Sequence, residues 1–116
     1  MRNLKSAVTM MVALAAVVAF NAAPARAADV DMAAKVAAAK TAADHEAIAD
    51  VYTKEAADAE ASAAEHDKMA ATYKQLGKTG LYHEQHCAAI AKRYREQAKD
   101  FKALAAAERD LAKKPK

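Results

Sequence analysis

The sequence has 116 residues and a formal net charge of +3, a length that allows one small domain. Three basic residues, Arg2, Lys5 and Arg26, lie within the first 27 positions, and residues 28–116 carry equal numbers of acidic and basic side chains. This neutral remainder lacks the positive charge typical of proteins that bind nucleic acid, so we expect no nucleic acid partner.

The first 27 residues have the pattern of a cleavable secretory signal peptide. Basic residues at the start are followed by an almost entirely apolar run from Ala7 to Phe20, and Ala25-Arg26-Ala27 supplies the small-x-small pattern of a cleavage site. An uncleaved membrane anchor is the alternative, but the run is shorter than the roughly 20 apolar residues of a membrane helix. The pattern therefore predicts a mature chain of residues 28–116 that is periplasmic or secreted, without a stable membrane anchor.

The composition of the mature chain predicts an all-α protein with a thin core. Alanine occupies 27 of the 89 positions from 28 to 116, and lysine and glutamate are also frequent. These residues are strong helix formers. A buried alanine removes little apolar area from water, so a monomer would be marginally stable and we expect self-association.

The positions of glycine and proline predict two long helices joined by a short turn. No glycine or proline occurs from about 30 to 76, which predicts the first helix. The sequence Gly-Lys-Thr-Gly at 77–80 predicts the turn. The second helix is expected from about 81 to 114, before Pro115. Two helices joined by so short a loop must form an antiparallel hairpin, and we expect two hairpins to dimerise into a four-helix bundle.

Apolar residues recur at spacings of three and four, as in a coiled coil, and this places each set on one helix face. The predicted contact line of the first helix comprises His45, Ile48, Tyr52, Ala59, His66, Met69, Tyr73 and Leu76. That of the second helix comprises His83, Cys87, Ile90, Tyr94, Phe101, Leu104 and Leu111. The alanines expected to flank these lines and to permit close approach are Ala49, Ala56, Ala63, Ala98 and Ala105.

The distribution of charge supports pairing of the two helices. Residues 28–76 have a net charge of −5 and residues 77–116 a net charge of +5, and opposite charges favour this partner over like-charged ones. With the turn centred near Lys78 and Thr79, the numbers of facing residues add up to about 157. The expected ion pairs are Glu65–Lys92, Asp58–Lys99 and Glu55–Lys102.

The start of the first helix has no facing partner, because it is longer than the second. Residues before about 43 are expected to pack in a dimer or to bend back along the hairpin, with a frayed end as the alternative.

One cluster of residues is a candidate metal site. His83, His86 and Cys87 are spaced by three and four residues, and the facing helix brings Met69 and His66 near them. Histidine, cysteine and methionine together suit copper first, and then zinc or nickel.

Cys87 also has two simpler interpretations. A lone cysteine in an oxidising compartment can be buried in the core, as a small apolar residue, or can form a disulfide with a second chain. The predicted location of Cys87 on the contact line makes burial easy.

The sequence does not favour an enzyme. Catalysis needs a concave site that excludes water, and a two-helix hairpin offers none within one chain. We therefore expect a small exported, non-enzymatic interaction module of the cell envelope, with itself or another envelope protein as partner. A periplasmic metal-binding protein is the alternative.

Overall fold

The computed structural model describes residues 31–114, so the predicted signal peptide lies outside the described residues. Three helices make up this part of the chain, namely α1 (Met32–Ala38), α2 (Ala42–Lys74) and α3 (Leu81–Lys113), with a short 3₁₀ turn at Gly77–Thr79. The long helices α2 and α3 pack against each other as a hairpin. The predicted all-α class and helical hairpin are thus confirmed.

The predicted first helix is interrupted between α1 and α2. Thr41 has extended backbone torsions and caps α2, with its hydroxyl accepting a hydrogen bond from the backbone N–H of Asp44 at 3.1 Å. In return, the Asp44 carboxylate accepts hydrogen bonds from the backbone N–H groups of Lys40 and Thr41 at 2.9 and 3.0 Å. This capping box starts a new helix at Ala42, because it satisfies backbone donors that a helix end leaves without partners.

Helix α1 packs beside the start of α2. Lys35, Ala38 and Ala39 border a recess whose other side is formed by Asp44, Ala47 and Ile48. The segment before about residue 43 therefore contacts its own hairpin, as one of the two expected arrangements requires.

The two turn glycines are required for different reasons. Gly77 follows the end of α2 with a φ of 61°, a left-handed conformation that favours glycine. Gly80 has an ordinary φ but is buried. A Cβ atom there would lie 2.0 Å from the carbonyl oxygen of Tyr73, so only glycine fits.

Alanines make up most of the buried surface between α2 and α3. Six buried alanines repeat every seven positions, three in each helix, and each has a relative exposure of 2% or less. They are Ala49, Ala56 and Ala63 of α2, and Ala91, Ala98 and Ala105 of α3. In an antiparallel pair this shared spacing brings the alanines of α2 and α3 to one contact line, and small side chains let the two backbones approach. We call this set the alanine contact.

The alanine contact corrects the predicted contact lines. The alanines expected to flank the interface are its core, whereas Met69, Leu76, Leu104 and Leu111 are exposed. Ile48, Ala59 and Cys87 are buried as predicted, but in α3 Ala91 and Ala105 are buried in place of the neighbouring predicted residues Ile90 and Leu104. Large side chains in line on both helices would hold the backbones apart, so the hairpin turns its alanines inward.

Aromatic residues and histidines pack across the two helices between the alanines. The ring of Tyr52 lies on that of Phe101, with centroids 6.2 Å apart. Towards the open end, Nδ1 of His45 lies 2.7 Å from Oε2 of Glu108, and both side chains are largely covered. These contacts fix which residues of α2 and α3 face each other.

Three polar contacts between the helices also recur every seven residues. Their members are Arg95–Asp67 at 2.7 Å, Lys102–Glu60, and Arg109–Thr53 at 3.1 Å. The three predicted ion pairs are not among those of residues 31–114, because Lys102 binds Glu60 instead of Glu55 and Asp58 pairs with Lys54. Side chains lean towards the N-terminus of their own helix, so partners in an antiparallel pair are displaced towards higher residue numbers.

Candidate functional site

The histidines of the predicted metal cluster are exposed and lie against tyrosine rings. His83 stacks on Tyr73 with ring centroids 4.7 Å apart, and His86 packs on Tyr82 at 4.3 Å. The side chain of His83 also meets the edge of the Tyr82 ring at 5.7 Å. These contacts occupy both imidazole rings with aromatic packing.

Cys87 lies inside the hairpin. It is a free cysteine with 6% relative exposure, so its thiol is covered by the two helices. The structure thus places Cys87 where the core-packing interpretation predicts it. A disulfide to a second chain would require the hairpin to open at this point.

The other two predicted ligands lie on α2. His66 is half-buried and stacks on Tyr94 with centroids 5.6 Å apart, and its Nδ1 atom is buried without a hydrogen-bond partner among the described residues. Met69 is 38% exposed. Residues 31–114 contain no group of three or more histidine, cysteine, aspartate or glutamate side chains positioned to hold a metal ion. Metal binding by the five predicted residues therefore stays a prediction.

The hairpin has two different sides. A residue one position after an aromatic of the core, such as Thr53 or Lys102, lies about 80° to one side of the α2–α3 contact. A residue one position before a buried alanine, such as Ile48 or Leu104, lies about 80° to the other side. Because α2 and α3 are antiparallel, equivalent positions of both helices fall on the same side.

We call these two sides the polar face and the apolar face. The polar face carries the repeated contacts Arg95–Asp67, Lys102–Glu60 and Arg109–Thr53. The apolar face comprises Glu55, Ser62, Met69, His83, Ile90, Gln97, Leu104 and Leu111. Ile48 has the same heptad position but is already buried, beside the recess bordered by α1.

Side chains on the polar face are already paired within the chain. Arg109, besides its bond to Thr53, lies 3.6 Å from Asp50 and 3.8 Å from Glu46. A recess beneath these groups is lined by Thr53, Ala56, Ala57, Glu60, Lys102, Ala105 and Arg109. Because these charged side chains are already paired within the chain, the polar face gains little from binding another partner.

Large apolar side chains remain uncovered on the apolar face. Leu104 is 44% exposed and Leu111 is 42% exposed, seven residues apart on α3, and Met69 of α2 is on the same side. Ile90 and Gln97 continue the α3 row and border a shallow recess with Tyr94. Sequence reasoning missed this surface because it assigned the leucines to the α2–α3 contact. The seven-residue repeats of alanine in both helices were the signal that could have revealed it.

No protein-family model, curated protein or solved structure matches the chain. None of the helices within residues 31–114 combines the length and the apolar character needed to cross a membrane.

Proposed function

We propose that the protein is a small exported, non-enzymatic interaction module of the cell envelope that associates with itself and with partner helices. The observation that carries this proposal is the repeat of exposed leucines, Leu104 and Leu111, on the apolar face. Exposed apolar residues at heptad spacing, set beside a polar opposite side, are typical of a helix–helix interface.

The thin core supports self-association. Ile48 is the only large side chain that is fully buried among the described residues, and the other buried side chains are cysteine and alanines. Because full burial of a leucine contributes roughly 1.5–3 kcal/mol, covering Leu104 and Leu111 would add stability that the alanine contact cannot supply. A second hairpin on the apolar face would complete a four-helix bundle.

The proposed location follows from the signal-peptide pattern. Expression of the full 116-residue sequence in a bacterial host, followed by intact-mass measurement, tests it directly. We expect cleavage after Ala27 and recovery of residues 28–116 from the periplasmic fraction. A cytoplasmic product of full length would contradict export.

Light scattering coupled to gel filtration tests self-association of the processed protein. We expect a dimer for the wild type and a monomer for the double variant Leu104→Glu/Leu111→Glu, because two buried charges per chain would oppose the interface. Ala103→Glu/Ala106→Glu is the matched control: it adds the same charge at exposed positions of α3 outside the apolar face. A wild-type monomer at high concentration, or a dimer that survives the leucine substitutions, would overturn the proposal.

A further inference from the structure

We infer that two hairpins associate through their apolar faces with their turns at the same end, so that α2 of each chain lies on α3 of the other. This inference rests on the proposed self-association and specifies its geometry. The occupant of the apolar face is thus a second copy of this chain.

Twofold symmetry allows two ways to stack the same face of two hairpins. When the axis runs along the helices, the turns lie at the same end and α2 covers α3 of the second copy. When the axis runs across the helices, the turns lie at opposite ends and α2 covers α2 of the second copy. Closed dimers are generally built on such an axis, so these two arrangements exhaust the face-to-face choices.

The charges of the two long helices distinguish the arrangements. Helix α2 contains eight acidic and three basic residues, whereas α3 contains five acidic and seven basic residues. Stacking α2 on α2 would set like charges against each other, and this juxtaposition is unfavourable. Stacking α2 on α3 gives every helix in the bundle an antiparallel neighbour of opposite net charge.

Individual residues along the apolar face agree with this choice. Glu65 precedes the core residue His66 in α2, and Arg93 precedes Tyr94 in α3, so both lie at the outer edges of the apolar face. With the turns at the same end, Glu65 of one copy comes beside Arg93 of the other. Ser62, in the middle of the face, is then level with Gln97 of the other chain.

The pairing within one chain leaves these edge charges available. Neither Glu65 nor Arg93 forms an ion pair with another residue in the described range 31–114. On the polar face, by contrast, Asp67 and Glu60 are bound by Arg95 and Lys102. The charges at the edge of the apolar face are thus free to select the orientation of a second copy.

Distance measurements between spin labels test the arrangement. The full sequence is expressed with Lys78→Cys in the turn and Cys87→Ala, the processed protein is labelled, and the label separation is measured by pulsed electron resonance. Turns at the same end predict a separation below about 30 Å, given interaxial distances of about 8–10 Å plus the label arms. Turns at opposite ends predict about 50 Å or more, the length of a 33-residue helix at about 1.5 Å per residue.

Charge exchange supplies an independent check. Glu65→Arg should raise the dimer dissociation constant about tenfold, and adding Arg93→Glu should restore it to within about threefold, because the pair is reversed rather than lost. Glu46→Arg is the control, since Glu46 lies on the polar side near Arg109. Failure of the second substitution to restore affinity would contradict the pairing.

The outcomes separate this inference from the proposed function. A monomer at every concentration would overturn both. A dimer with labels about 50 Å apart would overturn the arrangement and leave self-association standing.

Discussion

Gly80 lies directly against the backbone of Tyr73, at the point where α3 leaves the turn. A Cβ at position 80 would be 2.0 Å from the Tyr73 carbonyl oxygen and 2.9 Å from its carbon. Both neighbours are backbone atoms, so a side chain at position 80 can be accommodated only if the turn moves.

Gly80→Ala should therefore destabilise the hairpin more than Gly77→Ala. At Gly77 a Cβ meets nothing within 4 Å, and the cost is the left-handed φ of 61° alone, about 1–2 kcal/mol. We expect a larger loss for Gly80→Ala, measured as the free energy of unfolding in urea by circular dichroism. Equal losses for the two variants would show that the turn relaxes freely around Gly80.

Enlarging the alanine contact should separate the helices. Ala56→Leu places extra volume at a position that is 1% exposed, and overpacking of this kind typically costs about 1–3 kcal/mol. Ala61→Leu is the matched control, because Ala61 is exposed on the same helix. Thermal melting of both variants makes the comparison, and a stability of Ala56→Leu equal to the control would mean that α2 and α3 are not in close contact there.

Acid should weaken the junction between α1 and α2. Hydrogen bonds from the backbone N–H groups of Lys40 and Thr41 hold the pKa of Asp44 below its ordinary value of 3.8. The stabilisation is therefore complete above that value and is lost as the pH falls through the lowered pKa. The protection of the amides of residues 40 and 41, measured by NMR as exchange relative to the intrinsic rate at each pH, should fall in acid, and Asp44→Asn should abolish this dependence. An unchanged dependence in Asp44→Asn would assign the effect to another carboxyl group.

The thiol of Cys87 should react slowly in the folded protein. With 6% exposure it is shielded from reagents, whereas Ala88→Cys in a Cys87→Ala background presents a thiol at the adjacent, exposed position. Maleimide labelling should be much faster for the Ala88→Cys protein, and urea should remove the difference. Fast labelling of native Cys87, or a disulfide-linked dimer on a non-reducing gel, would contradict its burial.

The hairpin could be predicted because the residues that end and start its helices are close together in the sequence. Gly77 and Gly80 are the only glycines of the chain and they mark the turn, and strong helix formers on both sides leave two antiparallel helices as the solution. In α2, Tyr52, His66 and Tyr73 contact α3 as expected.

The rotation of α3 could not be read from hydrophobicity. Leu104 is more apolar than Ala105, so a count of apolar residues places the leucine in the interface. The rotation of α3 depends instead on how closely the two backbones can approach. Ala49, Ala56 and Ala63 of α2 come into close contact with α3 only when α3 also places alanines in the interface. The spacing of the histidine and cysteine cluster does not separate the covered Cys87 from the exposed His83 and His86.

Helix propensity over the whole segment does not reveal the break before α2. Alanines on both sides favour a continuous helix, but the Thr41 and Asp44 side chains bind the backbone locally. Such a capping box contributes more at one position than the small preferences of its neighbours.

The alanine contact repeats the same packing every seven residues, and this has a consequence for alignment. Sliding α3 by one heptad would again set alanine beside alanine, because the buried alanines of both helices share one seven-residue spacing. The alanine contact alone therefore discriminates weakly between alignments, and the observed one is fixed by the cross-helix contacts such as Tyr52–Phe101 together with the short turn. A hairpin cut between Lys78 and Thr79 would keep only these side-chain contacts to hold its two helices in alignment, so the covalent turn limits slippage by one heptad.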